Sequence, residues 1–236
     1  MSPTKGASKR KRRREPTVRR PDAAKLGATT RAYALLREAH PDAHCALHHR
    51  SAFELLVATI LSAQCTDARV NLVTPALFAT WPTPAAMAAA PVEAIEAAIR
   101  STGFFRNKAK SILGASKRLV EVFGGEVPSG MDDLLSLPGV ARKTANVVRG
   151  VAFGLADGVV VDTHVHRLAA RLGWSNGKTP AIVERDLMAL FPKEAWIELS
   201  HVLIHHGRRI CSARKPNCTD CPVNASCPSS TAYGVR

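Results

Sequence analysis

A lysine, a carboxylate and four cysteines stand out in this sequence, because their types and spacing can do chemistry. Lys143 lies in Leu137-Pro138-Gly139-Val140-Ala141-Arg142-Lys143-Thr144-Ala145, and Asp162 follows it by nineteen residues. Pro138-Gly139 reads as a tight turn, since proline presets the first torsion and glycine accepts the left-handed one after it. Leu134, Leu135 and Leu137 before the turn, and Ala145, Val147 and Val148 after it, have helical spacing. The segment is therefore a helix, a hairpin and a second helix. That second helix starts with unpaired N–H groups at its electropositive end, which suits a phosphate or another anion. A lysine one turn inside is a candidate nucleophile. The helix end and Arg142 both disfavour a positive charge beside them, whereas a nearby Asp162 acts in the opposite direction. Asp162 alone reads as a helix N-cap.

Cys211, Cys218, Cys221 and Cys227 form a C-x6-C-x2-C-x5-C array, four thiols within seventeen residues. Such spacing brings the sulfurs round one soft metal centre without help from secondary structure. Zinc and a 4Fe–4S cluster both fit, and three short intervals in succession favour the cluster over the two separated pairs usual for structural zinc. Cys45 and Cys65 stand apart in surroundings that read as helical and are expected to be core thiols.

The elements that must position these groups are helical. With 236 residues, 46% of them apolar, the chain can bury a sizeable core. Ser51-Ala52-Phe53-Glu54 has capping-box spacing and opens a helix carrying Leu56, Val57, Ile60 and Leu61. Further starts fall at Thr66-Asp67, Thr83-Pro84, Pro91, Asp162 and Thr179-Pro180, and Pro41 ends a first helix that reads from Thr30. Arg106 to Phe123 is a helix closed by Gly124-Gly125, and Trp196, Leu199, Val202 and Leu203 mark the last one. Only Val159-Val160-Val161 reads as extended. The expectation is an all-α fold of about ten helices.

A net charge of +14 favours a polyanion, with nucleic acid the leading partner. No apolar run approaches the ~18 to 20 residues of a spanning helix, and the first residues lack a signal peptide's apolar core. A membrane partner is not expected, and the reading is cytoplasmic or nucleoid-associated. Residues 1–25 hold ten Lys or Arg against Glu15 and Asp22. That stretch is expected to be a disordered arm tethering the protein to DNA.

Together, LPGVARKTANVV, VDTH with its Asp162, the cysteine array that begins with HGRRIC, and Leu61-Ser62-Ala63-Gln64-Cys65-Thr66-Asp67 resemble the endonuclease III family of helix-hairpin-helix DNA glycosylases. The resemblance covers about Ala32 to Pro228. It implies two helical lobes with a DNA-binding cleft between them: 45–156 with the hairpin, and 26–44 joined to 157–236 with a C-terminal 4Fe–4S cluster loop. It implies a monomer acting on double-stranded DNA with a damaged base or abasic site. Lys143 would attack the sugar C1′ and form an imine, Asp162 would assist, and β-elimination would follow, making the enzyme both glycosylase and AP lyase. Oxidised pyrimidines are the implied lesions.

The same resemblance puts Gln64 and Phe104 in the space an extruded nucleotide leaves. The alternatives are a polar surface residue and a core aromatic. Gly139, Ala141 and Arg142 of the hairpin, Arg208 or Arg209, and Arg214 and Lys215 of the cluster loop would meet phosphates. Ala141 departs from the family pattern, where a second glycine is common, and its Cβ is expected to tilt the turn or crowd a phosphate. Two other readings stay open. An adenine-type glycosylase would lack this lysine and carry a glutamate near Ala58. A non-catalytic module would bind DNA and hold a structural metal.

Overall fold

The computed structural model describes residues 22–230. The basic arm as far as residue 21 lies outside that range. Among the described residues there are eleven α-helices. They are α1 (Ala23–Ala39), α2 (Ala52–Leu61), α3 (Asp67–Thr80), α4 (Pro84–Ala88), α5 (Val92–Ile99), α6 (Phe105–Phe123), α7 (Met131–Leu135), α8 (Arg142–Phe153), α9 (Thr163–Arg171), α10 (Pro180–Leu190) and α11 (Trp196–Arg209). None of the described residues forms a strand, and Val159–Val161 is an extended connector. The fold is all-α, as the periodicity requires.

Capping chemistry sets most helix starts. Thr66, Thr83 and Thr179 each accept from the N–H three residues on. Ser51 Oγ accepts from the Glu54 N–H at 3.2 Å, but the Glu54 carboxylate returns to the Arg50 N–H at 2.8 Å rather than to Ser51, and the Arg50 guanidinium closes on it at 3.0 Å. α1 begins at Ala23, well before Thr30 and inside the stretch expected to be a disordered arm. Asp22 is the reason: its carboxylate accepts from the Lys25 N–H at 2.7 Å, and an acidic cap followed by two alanines starts a helix despite the basic residues before it.

Two apolar clusters organise the chain. The first runs from Leu47 to Val148 and is built round α2, whose Leu55, Leu56, Val57, Ala58 and Leu61 are at most 1% exposed. α8 lies against α2, and α6 carries α4 and α5. The second joins Ala32, Tyr33 and Leu36 of α1 to residues between Val159 and Val223. α11 is its spine, packed on α1 and α9. Glu198 of α11 ties α1 down by accepting from Tyr33 Oη at 3.0 Å and Arg37 Nε at 2.8 Å. The N-terminal helix therefore folds with the C-terminal third of the chain.

Specific bonds cross from one cluster to the other. Arg208 of α11 pairs with Asp67 of α3 at 2.6 Å, and Glu184 of α10 accepts from Asn146 of α8 at 3.2 Å with Arg142 at 3.6 Å. Among the described residues no helix is long and apolar enough to cross a membrane.

Candidate active site

The hairpin between α7 and α8 is anchored by Leu137 and Val140, which are 2% and 8% exposed. Gly139 turns the chain at φ 78°, and a Cβ there would lie 2.5 Å from the Ser111 side chain of α6. Glycine is needed twice over, for the torsion and for the close approach. Gly114 of α6 leaves the room that Pro138 fills. Ala141 sits at φ −97° and ψ 169°, an extended conformation open to any residue, so its Cβ does not tilt the turn. No side chain caps α8, which leaves its first N–H groups to an external acceptor.

Lys143 is exposed on the first turn of α8. Asp162 caps α9, its Oδ1 accepting from the His164 and Val165 N–H groups at 2.8 Å each. Both bonds fall on one oxygen. Lys143 and Asp162 line the same pocket, where the two clusters meet. Thr59 of α2, Asn146 of α8, and Ser200 and His201 of α11 also line it. The pocket thus holds an amine, a carboxylate fixed by a helix end, and small polar groups in a largely apolar setting.

Several pocket residues escaped the sequence reading. Asn146 is three residues beyond Lys143, so helical spacing alone could have placed the two on one face. It is 6% exposed, and its Oδ1 has no partner while Nδ2 serves Glu184. His201 is held neutral by burial, which, with the His205 and His44 charges, pushes its pKa down to about 4. Cys45 also lines the pocket. Cys45 and Cys65 lie on loops rather than helices, though both pack against the first core.

The residues read as phosphate contacts divide into two groups. Arg214 and Lys215 are exposed, whereas Arg208 is engaged by Asp67 and Arg209 by Asp42, the latter at 2.7 Å. Arg142 keeps an exposed guanidinium beside Glu184. Gln64 lies in the turn between α2 and α3, and Phe104 precedes α6. Among the described residues these two alone are non-glycine residues at positive φ, 52° and 48°. Left-handed backbone costs an L-residue about 1–2 kcal/mol. Phe104 is 63% exposed, so it is not a core aromatic.

Cys211, Cys218, Cys221 and Cys227 are half-buried and line a second cavity with Leu168, Leu172 and Ile210. Arg171 Nη1 donates to Cys211 Sγ at 3.1 Å and to the Ser212 carbonyl at 2.8 Å, while Nη2 holds the Ala213 carbonyl at 2.8 Å. His206 Nε2 lies 3.5 Å from Cys221 Sγ. Burial, then the other cysteine charges, push the Cys221 thiol up to about 11 and raise Cys218 as well. Four sulfurs share one cavity, and their soft donor set suits an iron–sulfur group. Among the described residues, no three His, Cys, Asp or Glu side chains converge as ligands of a single metal ion.

Residues 57–193 match the family model described as HhH-GPD superfamily base excision DNA repair protein. The endonuclease III of Synechocystis sp. is 53% identical over 210 residues, covering 89% of this chain and 96% of that protein. The chain belongs to the endonuclease III family. Two solved endonuclease III structures share its fold. A trapped DNA covalent intermediate has a TM-score of 0.81 at 45% identity, over 87% of this chain and 97% of that one. A non-covalent DNA complex has a TM-score of 0.82 at 44% identity, over 89% and 99%. The helix-hairpin-helix glycosylase fold of the family accounts for both clusters and for the pocket at their junction.

Proposed function

We propose that this chain is a bifunctional DNA glycosylase and AP lyase of base excision repair. It excises oxidised pyrimidines from duplex DNA through an imine on Lys143, followed by β-elimination. The observation that carries this reading is the shared pocket: Lys143 and Asp162 face one space at the junction of the lobes, in a family with a DNA covalent intermediate among its solved structures.

The chemistry follows from those groups. The Lys143 amine forms a bond to C1′ as the glycosidic bond breaks, and the base leaves with the electron pair and takes up a proton. Positive charge develops at the sugar, and Asp162, kept in place by its cap bonds, faces that charge. Opening of the ring at O4′ gives the imine, loss of a C2′ proton expels the 3′ phosphate, and hydrolysis frees the lysine. The uncapped N-terminus of α8 and the exposed Arg142 hold the backbone beside the lesion. Gln64 and Phe104 fill the vacated stack, held out by strained backbone.

Cys211, Cys218, Cys221 and Cys227 would hold a 4Fe–4S cluster, which, when bound, supplies four iron–thiolate bonds that order the loop. Arg171 donates to one of these sulfurs and to two loop carbonyls, so the loop presents Arg214 and Lys215 to phosphates. The units of the reading are an arm that ends before α1 rather than at residue 25, a cluster lobe of α1 to residue 44 with 157–236, and a hairpin lobe of 45–156. The protein works as a monomer in the cytoplasm, with the chromosome. An adenine-type glycosylase is disfavoured by Lys143 in the pocket and by Ala58, fully buried and without a carboxyl.

The test is the chemical form of the product. A duplex carrying thymine glycol should be cut to leave a 3′ unsaturated aldehyde. Base release that leaves an uncut abasic strand would reject the lyase half of the reading.

A further inference from the structure

Lys108 is a lysine that neither the fold nor the pocket explains. It lies in the first turns of α6 with only 5% exposure, an unusual place for an ammonium. The positive end of the helix dipole is close by, so position and burial both disfavour the charge. Burial lowers its pKa, with the Cys65 thiol acting in the opposite sense.

What Lys108 does is hold one loop at both ends. Its Nζ donates to the Thr102 carbonyl at 2.8 Å, and its backbone N–H donates to the Phe104 carbonyl at 3.1 Å. Between those carbonyls lie Gly103 at φ 69° and Phe104 at φ 48°. Thr102 is itself fixed, its Oγ1 donating to the Ile99 carbonyl at 2.8 Å. A non-glycine residue in the left-handed region, such as Phe104, relaxes unless its neighbours over-determine it.

We infer that Lys108 is a positioning residue for base extrusion: its buried ammonium staples the 102–104 loop so that the exposed Phe104 ring is presented to the duplex in a single orientation. The inference rests on the reading of Phe104 as the residue that enters the stack. Lys108 acts only through that ring. Its contribution should therefore vanish where no base pair has to be opened, or where the ring is absent.

A double-mutant cycle measures this. Single-turnover excision of thymine glycol is followed for the wild type, Lys108→Met, Phe104→Ala and the double variant, with the lesion in a paired duplex and in an unpaired bubble. Lys108→Met should slow paired-duplex excision by about ten- to a hundredfold. The ratio of paired to bubble rates should fall by the same factor, and the double variant should be no slower than Phe104→Ala. Lys108→Arg, which keeps a charged donor, should recover part of the loss. Additive losses, or an equal slowing on bubble DNA, would show that Lys108 supports the fold at large and would overturn the inference while leaving the wedge in place. If Phe104→Ala alone is harmless, the wedge reading falls and the inference falls with it. Should Lys108→Met not fold, Lys108→Gln is carried through the same cycle with the same criteria.

Discussion

Asp162 does two jobs with one carboxylate, and they can be separated. Its Oδ1 caps α9, and its charge faces the pocket it shares with Lys143. Asparagine caps a helix about as well as aspartate but carries no charge. Asp162→Asn should therefore keep the melting temperature and DNA affinity nearly unchanged while lowering turnover by about 10²–10³-fold, the scale on which a preorganised electrostatic partner acts. Equal activity in that variant would remove Asp162 from the mechanism. The sequence displayed this residue because a helix start, a charge and a fixed distance from Lys143 are all local facts. Asn146 was displayed less clearly, since nothing local says that its amide is buried against Glu184, 38 positions away.

At the scale of elements, caps and turns were legible and burial was not. Ser51, Thr66, Thr83, Thr179 and Asp162 open helices because side-chain oxygens answer the unpaired N–H groups beside them. Asp22 followed the same rule, yet the surrounding positive charge masked it. The histidines of α11 carry information only once packed. His201 of α11 lines the pocket with its pKa pushed down to about 4, below the ordinary 6.5. The unfolded chain takes up this proton as pH drops through 6.5, but the native state does not until about 4. This residue therefore costs stability on acidification across that window and has no effect above it. Denaturant melts at pH 7 and pH 5 should show wild-type stability falling by about 2 kcal/mol more than that of His201→Phe. Parallel losses in the two proteins would contradict the assignment.

For the whole molecule, the net charge of +14 points to a polyanion, while the sites of contact depend on which charges the fold has already paired. Arg208 and Arg209 are held by Asp67 and Asp42, whereas Arg214 and Lys215 are exposed on the loop that carries the four cysteines. Replacing Arg214 and Lys215 with alanine should weaken damaged and undamaged duplex alike. It should also reduce the slope of log K against log salt by about two, one for each phosphate no longer neutralised. An unchanged slope would mean that the loop does not touch the backbone. The joining of α1 to the C-terminal third could not be read from hydropathy, because it depends on Glu198 meeting Tyr33 and Arg37 across more than 160 residues of sequence.

The central claim is that Lys143 becomes bonded to the DNA. Borohydride reduces an imine to a stable amine, so the wild-type protein reduced in the presence of a duplex with an abasic site should migrate as a covalent protein–DNA adduct. Lys143→Gln should give none while still binding the duplex. An adduct that persists in Lys143→Gln, or no adduct in the wild type, would contradict the account.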